Sequence, residues 1–98
     1  MGVVATVIDN KLRQRFAPVR LAIEDESHKH AGHVGHREGG ETHFRVEIVS
    51  AAFEGQNRVA RQRLVYDTLK DELAPGGVHA LALSTLTPAE DDKRRLSS

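Results

Sequence analysis

"HFRVEIVSAAFEGQNRVARQRLVYDTLKDEL", residues 43–73, decides the fold, because within it the hydrophobic period changes from that of a strand to that of a helix. In "HFRVEIVS", Phe44, Val46 and Ile48 alternate with Arg45 and Glu47, the pattern of a strand with one buried face. "AAFEGQN" is a turn: Gly55 permits the backbone bend, and Asn57 stands where a helix wants its N-cap. From Arg58 to Leu73 the period is helical. A wheel places Val59, Gln62, Val65, Tyr66, Leu69 and Leu73 on one face and Asp67, Lys70 and Asp71 on the far side. Leu64 falls outside that apolar face, as a partner contact or an exposed leucine.

Toward the C-terminus, "APGG" breaks the helix and "VHALALST" is a short apolar strand. "TPAEDDKRRLSS" opens with a helix-start signal, then turns polar and is expected to fray over residues 91–98. Toward the N-terminus, "VRLAIEDE" alternates, with Val19, Leu21 and Ile23 inward. Before it, Val4, Ile8, Leu12 and Phe16 recur every fourth position, an amphipathic helix closed off by Pro18. The order α, β, β, α, turn, β predicts a three-stranded sheet with helices packed on one face, an α+β fold.

The chain's 98 residues predict one domain, with its core over about residues 4–90. Hydrophobic residues make up 39% and charged residues 29%, proportions of a folded globular chain rather than a disordered one. Lys plus Arg and Asp plus Glu number 14 each, and this balance argues against strong sequence-independent nucleic-acid binding, which needs a cationic surplus. No apolar run is long enough to span a membrane and the start lacks a signal-peptide pattern, so the expected location is cytoplasmic, or an organellar matrix if a leader has been removed.

Between the first two strands lies "ESHKHAGHVGHREGGETHF", residues 26–44, with His28, His30, His33, His36 and His43. It has neither period, so it is a loop, and long loops in compact domains are often functional. The spacings His28-x-His30, His30-x-x-His33 and His33-x-x-His36 let pairs of imidazoles converge on one ion. For His28, His33 and His36 individually, the bland reading of a solvated polar loop is the default. His43, at the start of a strand, reads as structural. His79 shares strand parity with Leu81 and Leu83, which would half-bury it, unless "PGG" delays the strand and turns it outward. The chain has no cysteine, so it supplies no thiolate. An iron–sulfur cluster here would need its sulfur ligands from another molecule.

Five segments, "LRQRFAP", "DESHKH", "THFRVEIVSAAFEG", "VARQRLVYDTLKDEL" and "VHALALSTLTPAE", resemble the BolA family in this order, from about Ile8 to Glu90. The resemblance implies a class II KH-like fold, α-β-β-α-α-β with a mixed sheet, in which "APGGV" holds a one-turn helix. It implies a monothiol glutaredoxin as partner in a heterodimer, a shared [2Fe–2S] cluster, and a role in cluster trafficking and iron homeostasis. Other members are described as DNA-binding transcription regulators of stress response and cell shape. The family's histidine in "VHAL" falls on His79, and its loop ligand falls on His30. This loop is longer and richer in histidine than usual, so His33 or His36 could replace His30, with His28 further behind. The family's Arg-x-Arg pattern falls on Arg61 and Arg63.

Three function classes follow. The preferred one is a cluster-sharing binding module, a monomer or weak dimer when apo. The second is a DNA-binding regulator using Arg58, Arg61, Arg63 and Lys70. Their default reading is a solvated helix surface, and no Gly-x-x-Gly loop lies between helices to clamp a nucleic-acid backbone. An enzyme is disfavoured, since no nucleophile–base constellation is present.

Overall fold

The structure, a computed structural model, describes residues 2–26 and 43–96. Its elements are α1 (Val3–Phe16), β1 (Arg20–Asp25), β2 (His43–Val49), a 3-10 turn (Ala51–Phe53), α2 (Arg58–Thr68), β3 (Ala80–Leu86) and α3 (Pro88–Leu96). The sheet order is β1-β2-β3, with β1 antiparallel and β3 parallel to β2. This is the expected α+β arrangement with a mixed three-stranded sheet.

The core forms where the two periods meet. Ala5, Ile8, Leu12 and Phe16 of α1 are buried, as their spacing requires. They pack against Phe44, Val46 and Ile48 of β2, with Leu21, Ile23, Leu81 and Leu83 from the flanking strands. Registers Leu21↔Ile48 and Val46↔Leu83 put these residues on one face. Phe53 is fully buried, its ring 5.2 Å from that of Phe16. Beside it the buried Ser50 hydroxyl donates to the Phe16 carbonyl at 2.6 Å and accepts from Ala52 N at 3.1 Å. This serine satisfies the backbone where β2 turns into the crossover.

Several expectations are corrected. The predicted apolar face of the second helical segment holds at Val65, Leu69 and Leu73 and fails at its Val59 and Tyr66 edge. Val65 and Leu69 are buried and Leu64 packs on the core, whereas Val59 is 54% and Tyr66 38% exposed. The apolar arc is wider than the buried one, so periodicity alone does not set its limits. Regular helix stops at Thr68, and the chain continues through hydrogen-bonded turns rather than to Leu73. "APGGV" holds no one-turn helix: Gly76 has φ 89°, which ends helical propagation. The third helix lies instead after β3, so the order is αββαβα. Val19 is 70% exposed, because it precedes β1 and follows Ala17, whose φ of 43° closes α1 just before Pro18. Asn57 caps α2 as expected, accepting from Ala60 N at 2.8 Å.

Nor does the C-terminal segment fray at residue 91. Thr87 and Glu90 form a reciprocal capping box: Thr87 N donates to Glu90 Oε1 at 2.8 Å, and Glu90 N to Thr87 Oγ1 at 3.2 Å. Farther along, buried Asp91 accepts from Arg20, which also bonds Glu47. Arg94 donates to Glu47 at 2.6 Å. Arg20 and Glu47 alternate with the core residues of their strands. The salt-bridged end of α3 is therefore fastened to the sheet face opposite α1 and α2, and the helices do not all share one face.

These carboxylates make the fold acid-sensitive. Arg61, and then the Thr87 backbone, hold the Glu90 carboxyl down from 4.5 to about 2. Asp91 is lowered first by its bond to Arg20, and Glu47 by Arg94 and then Arg20. A carboxyl more acidic in the folded chain than in the unfolded one contributes stability that is full above the unfolded value and lost as pH falls through the folded one. Thermal melts should therefore show Tm falling as pH drops from about 4.5 toward 2, and Glu90→Gln should flatten that acid limb.

Candidate metal-ligating site

The turn before β3 determines where His79 points. Gly77 N donates to Ala74 O at 2.9 Å, and Val78 N to Glu72 O at 2.8 Å. A Cβ on Gly77 would lie 2.2 Å from the Glu72 carbonyl oxygen, so only glycine fits this close backbone approach. The turn inserts Val78 into the core at 6% exposure and leaves His79 exposed just ahead of β3. The ambiguity in strand parity is thereby resolved: His79 precedes the strand and faces outward.

His43 lies beside it. It opens β2 opposite Ala80, and its ring stacks with that of His79, centroids 6.1 Å apart and planes 23° from parallel. Reading the sequence missed this pair, because 36 positions separate the two residues and only the parallel β2–β3 register brings them together. The signal that could have found it is the "H-F" strand start paired with the "H-A-L" strand start, once those strands are taken as parallel neighbours.

The described residues that flank the histidine-rich segment lie at the same end of the sheet. Glu26 N donates to the His43 carbonyl at 2.7 Å, and Arg45 Nε to Glu26 at 3.1 Å. Glu26 and His43, the described residues on either side of 27–42, thus stand at the strand end next to His79. His28, His30, His33 and His36 lie outside the described residues. Among the described residues, no cluster of three or more His, Cys, Asp or Glu could hold an ion. Two imidazoles lie together at the described part of this end, and with no cysteine in the chain it offers no thiolate.

The basic residues divide. Arg61 turns inward, its side chain 12% exposed, and donates to Gln56 O at 2.8 Å, Thr85 O at 3.3 Å and Glu90 at 2.6 Å. It is a strut between α2, β3 and α3. Arg58, Arg63 and Lys70 are exposed and make no ion pair among the described residues; Arg63 shares the outward side of α2 with Val59 and Tyr66, and Lys70 lies in the turn beyond it. The four cations do not converge on one surface.

The BolA-like protein family matches residues 12–90. Over 87 residues the chain is 49% identical to SufE-like protein 1, chloroplastic/mitochondrial, of Arabidopsis thaliana, covering 85% of this chain and 23% of that one. It is 48% identical over 92 residues to Protein BOLA1, chloroplastic, of the same plant, covering 92% and 57%. The BolA domain of SufE1 from Arabidopsis thaliana superposes with a TM-score of 0.81 at 47% identity, covering 92% of this chain and 98% of the domain. The chain therefore spans only part of the length of these curated relatives, while matching the isolated domain almost end to end.

Proposed function

We propose, for a chain that belongs to the BolA-like family, a non-catalytic role as one half of a [2Fe–2S] site completed by a monothiol glutaredoxin. The observation that carries this reading is an exposed His79, presented by the Gly77 turn at the sheet end where Glu26 and His43 flank the histidine-rich segment. The donor set fits a shared cluster: imidazole from this chain, thiolate from the partner. His79 would be one ligand and His30 the second, with His33, His36 and His28 as substitutes in that order. A cluster so held supplies one-electron chemistry and transferable iron and sulfide, with a potential raised by histidine ligation. This chain's part is to present neutral imidazoles and to hold their spacing, so loading should weaken as they protonate.

Co-expression with a monothiol glutaredoxin should yield a coloured heterodimer. In His79→Ala the visible absorption and circular dichroism should be lost or altered; an unchanged spectrum would sink this reading. The DNA-binding alternative is disfavoured, because Arg61 is committed to Glu90 and to backbone carbonyls. Among the described residues no helix is long and apolar enough to cross a membrane. The organellar designations of the two plant relatives are compatible with a matrix location.

A further inference from the structure

We propose that the free edge of β1 is a self-association surface, on which a second copy of this chain pairs its own β1 antiparallel about a two-fold axis at Ala22. Backbone alternation sets the frame. Glu26 N donates to the His43 carbonyl, so Arg20, Ala22 and Glu24 also turn their backbone groups toward β2, while Leu21 and Ile23 turn theirs away from it. Among the described residues no strand lies beyond β1, and no side chain bonds the Leu21 or Ile23 backbone. The other edge of the sheet is guarded: Arg61 donates to Thr85 O, an outward carbonyl of β3, at 3.3 Å. β1 has no such guard and contains no proline.

The edge is complementary to itself. With Ala22 on the axis, Leu21 faces the second copy's Ile23 in hydrogen-bonded pairs, which satisfy the outward groups of both chains. The same register sets Arg20 opposite the second copy's Glu24, twice by symmetry, in the closer non-hydrogen-bonded positions where opposite charges attract. Both residues have capacity for this contact. Glu24 is exposed and makes no ion pair among the described residues. Arg20 bonds Glu47 and Asp91, yet its Nε has no acceptor there. A shift of two residues either way sets Glu24 opposite Ala22 or Pro18 and loses the pair. Pairing also covers Leu21 and Ile23, partly buried at the rim of the core. One strand pair buries little area, so the dimer is weak and concentration-dependent. Since the two-fold consumes both β1 edges and β3 is guarded, association stops at two copies.

Sedimentation of the chain alone should show its mass rising from one chain toward two with concentration. Amide exchange at Leu21 and Ile23 should slow in step, while Ala22, already in the β1–β2 ladder, stays unchanged. Glu24→Lys sets like charges opposite each other without breaking an ion pair of the folded chain, and should raise Kd by about tenfold or more. The chain has no cysteine, so single thiols report the register. Ala22→Cys sets two thiols across the axis with Cα atoms about 4.5 Å apart, within disulfide reach. Ala82→Cys is an exposed control on the same sheet face, and its two copies stand five strand spacings, about 24 Å, apart. Diamide should link the Ala22→Cys chains and leave the Ala82→Cys chains single. Equal cross-linking of the two variants would overturn the proposal, as would unchanged association in Glu24→Lys. A chain still monomeric at about 1 mM would also overturn it and leave the edge to an extended segment of another protein. None of these measurements involves a glutaredoxin, so their outcome is independent of that reading.

Discussion

Phe53→Ala should destabilise the protein by about 3–5 kcal/mol, the usual cost of emptying a buried aromatic site. Phe53 is fully buried and packs at a tilt against the Phe16 ring. Its turn also ends β2, and the Ser50 hydroxyl there bridges to the C-terminus of α1. The ring therefore fills the place where the first helix, the central strand and the crossover converge, and no neighbour can collapse into the space without moving the chain. A domain of this size is stable by only about 5–15 kcal/mol, so the variant should sit close to unfolding at room temperature. Urea denaturation should show a lower midpoint with an unchanged slope. A midpoint within error of the parent would mean that the site relaxes freely, contrary to the packing described.

Arg61→Ala should cost about 2–3 kcal/mol, in the range for hydrogen bonds to a charged group, whereas Arg63→Ala should cost almost nothing. The two residues stand two positions apart in the same Arg-x-Arg pattern and look equivalent in the sequence. In the fold, Arg61 joins the start of α2 to β3 and to the capping carboxylate of α3, while Arg63 faces solvent. Its removal leaves the Gln56 and Thr85 carbonyls without that donor and releases Glu90. Arg61→Lys should recover only part of the loss, because an ammonium cannot reproduce the guanidinium fork. Chemical denaturation of the three variants checks the ranking. Equal effects of Arg61→Ala and Arg63→Ala would refute the strut assignment.

Local pattern determined much of this protein. The fourfold spacing of Ile8, Leu12 and Phe16 is sufficient for α1, and the alternation of Phe44, Val46 and Ile48 for β2. Asn57 marked the start of α2, and the absence of cysteine alone required any iron–sulfur chemistry to involve a second molecule. Family resemblance, carried by five ordered segments, pointed to His79.

What the sequence left open depended on contacts between distant residues. On α2 the apolar arc is wider than the buried one, and only docking against the sheet takes in Leu64 beside Val65 while leaving Val59 and Tyr66 exposed. The C-terminal helix is polar, so its ordering comes from Asp91 and Arg94 meeting Arg20 and Glu47, partners more than 40 positions away. The pairing of His43 with His79 follows from the parallel register of β2 and β3. Periodicity reports which face of an element is apolar. Which face is buried, and which side chains meet at a sheet end, is settled by the energy of packing the elements together.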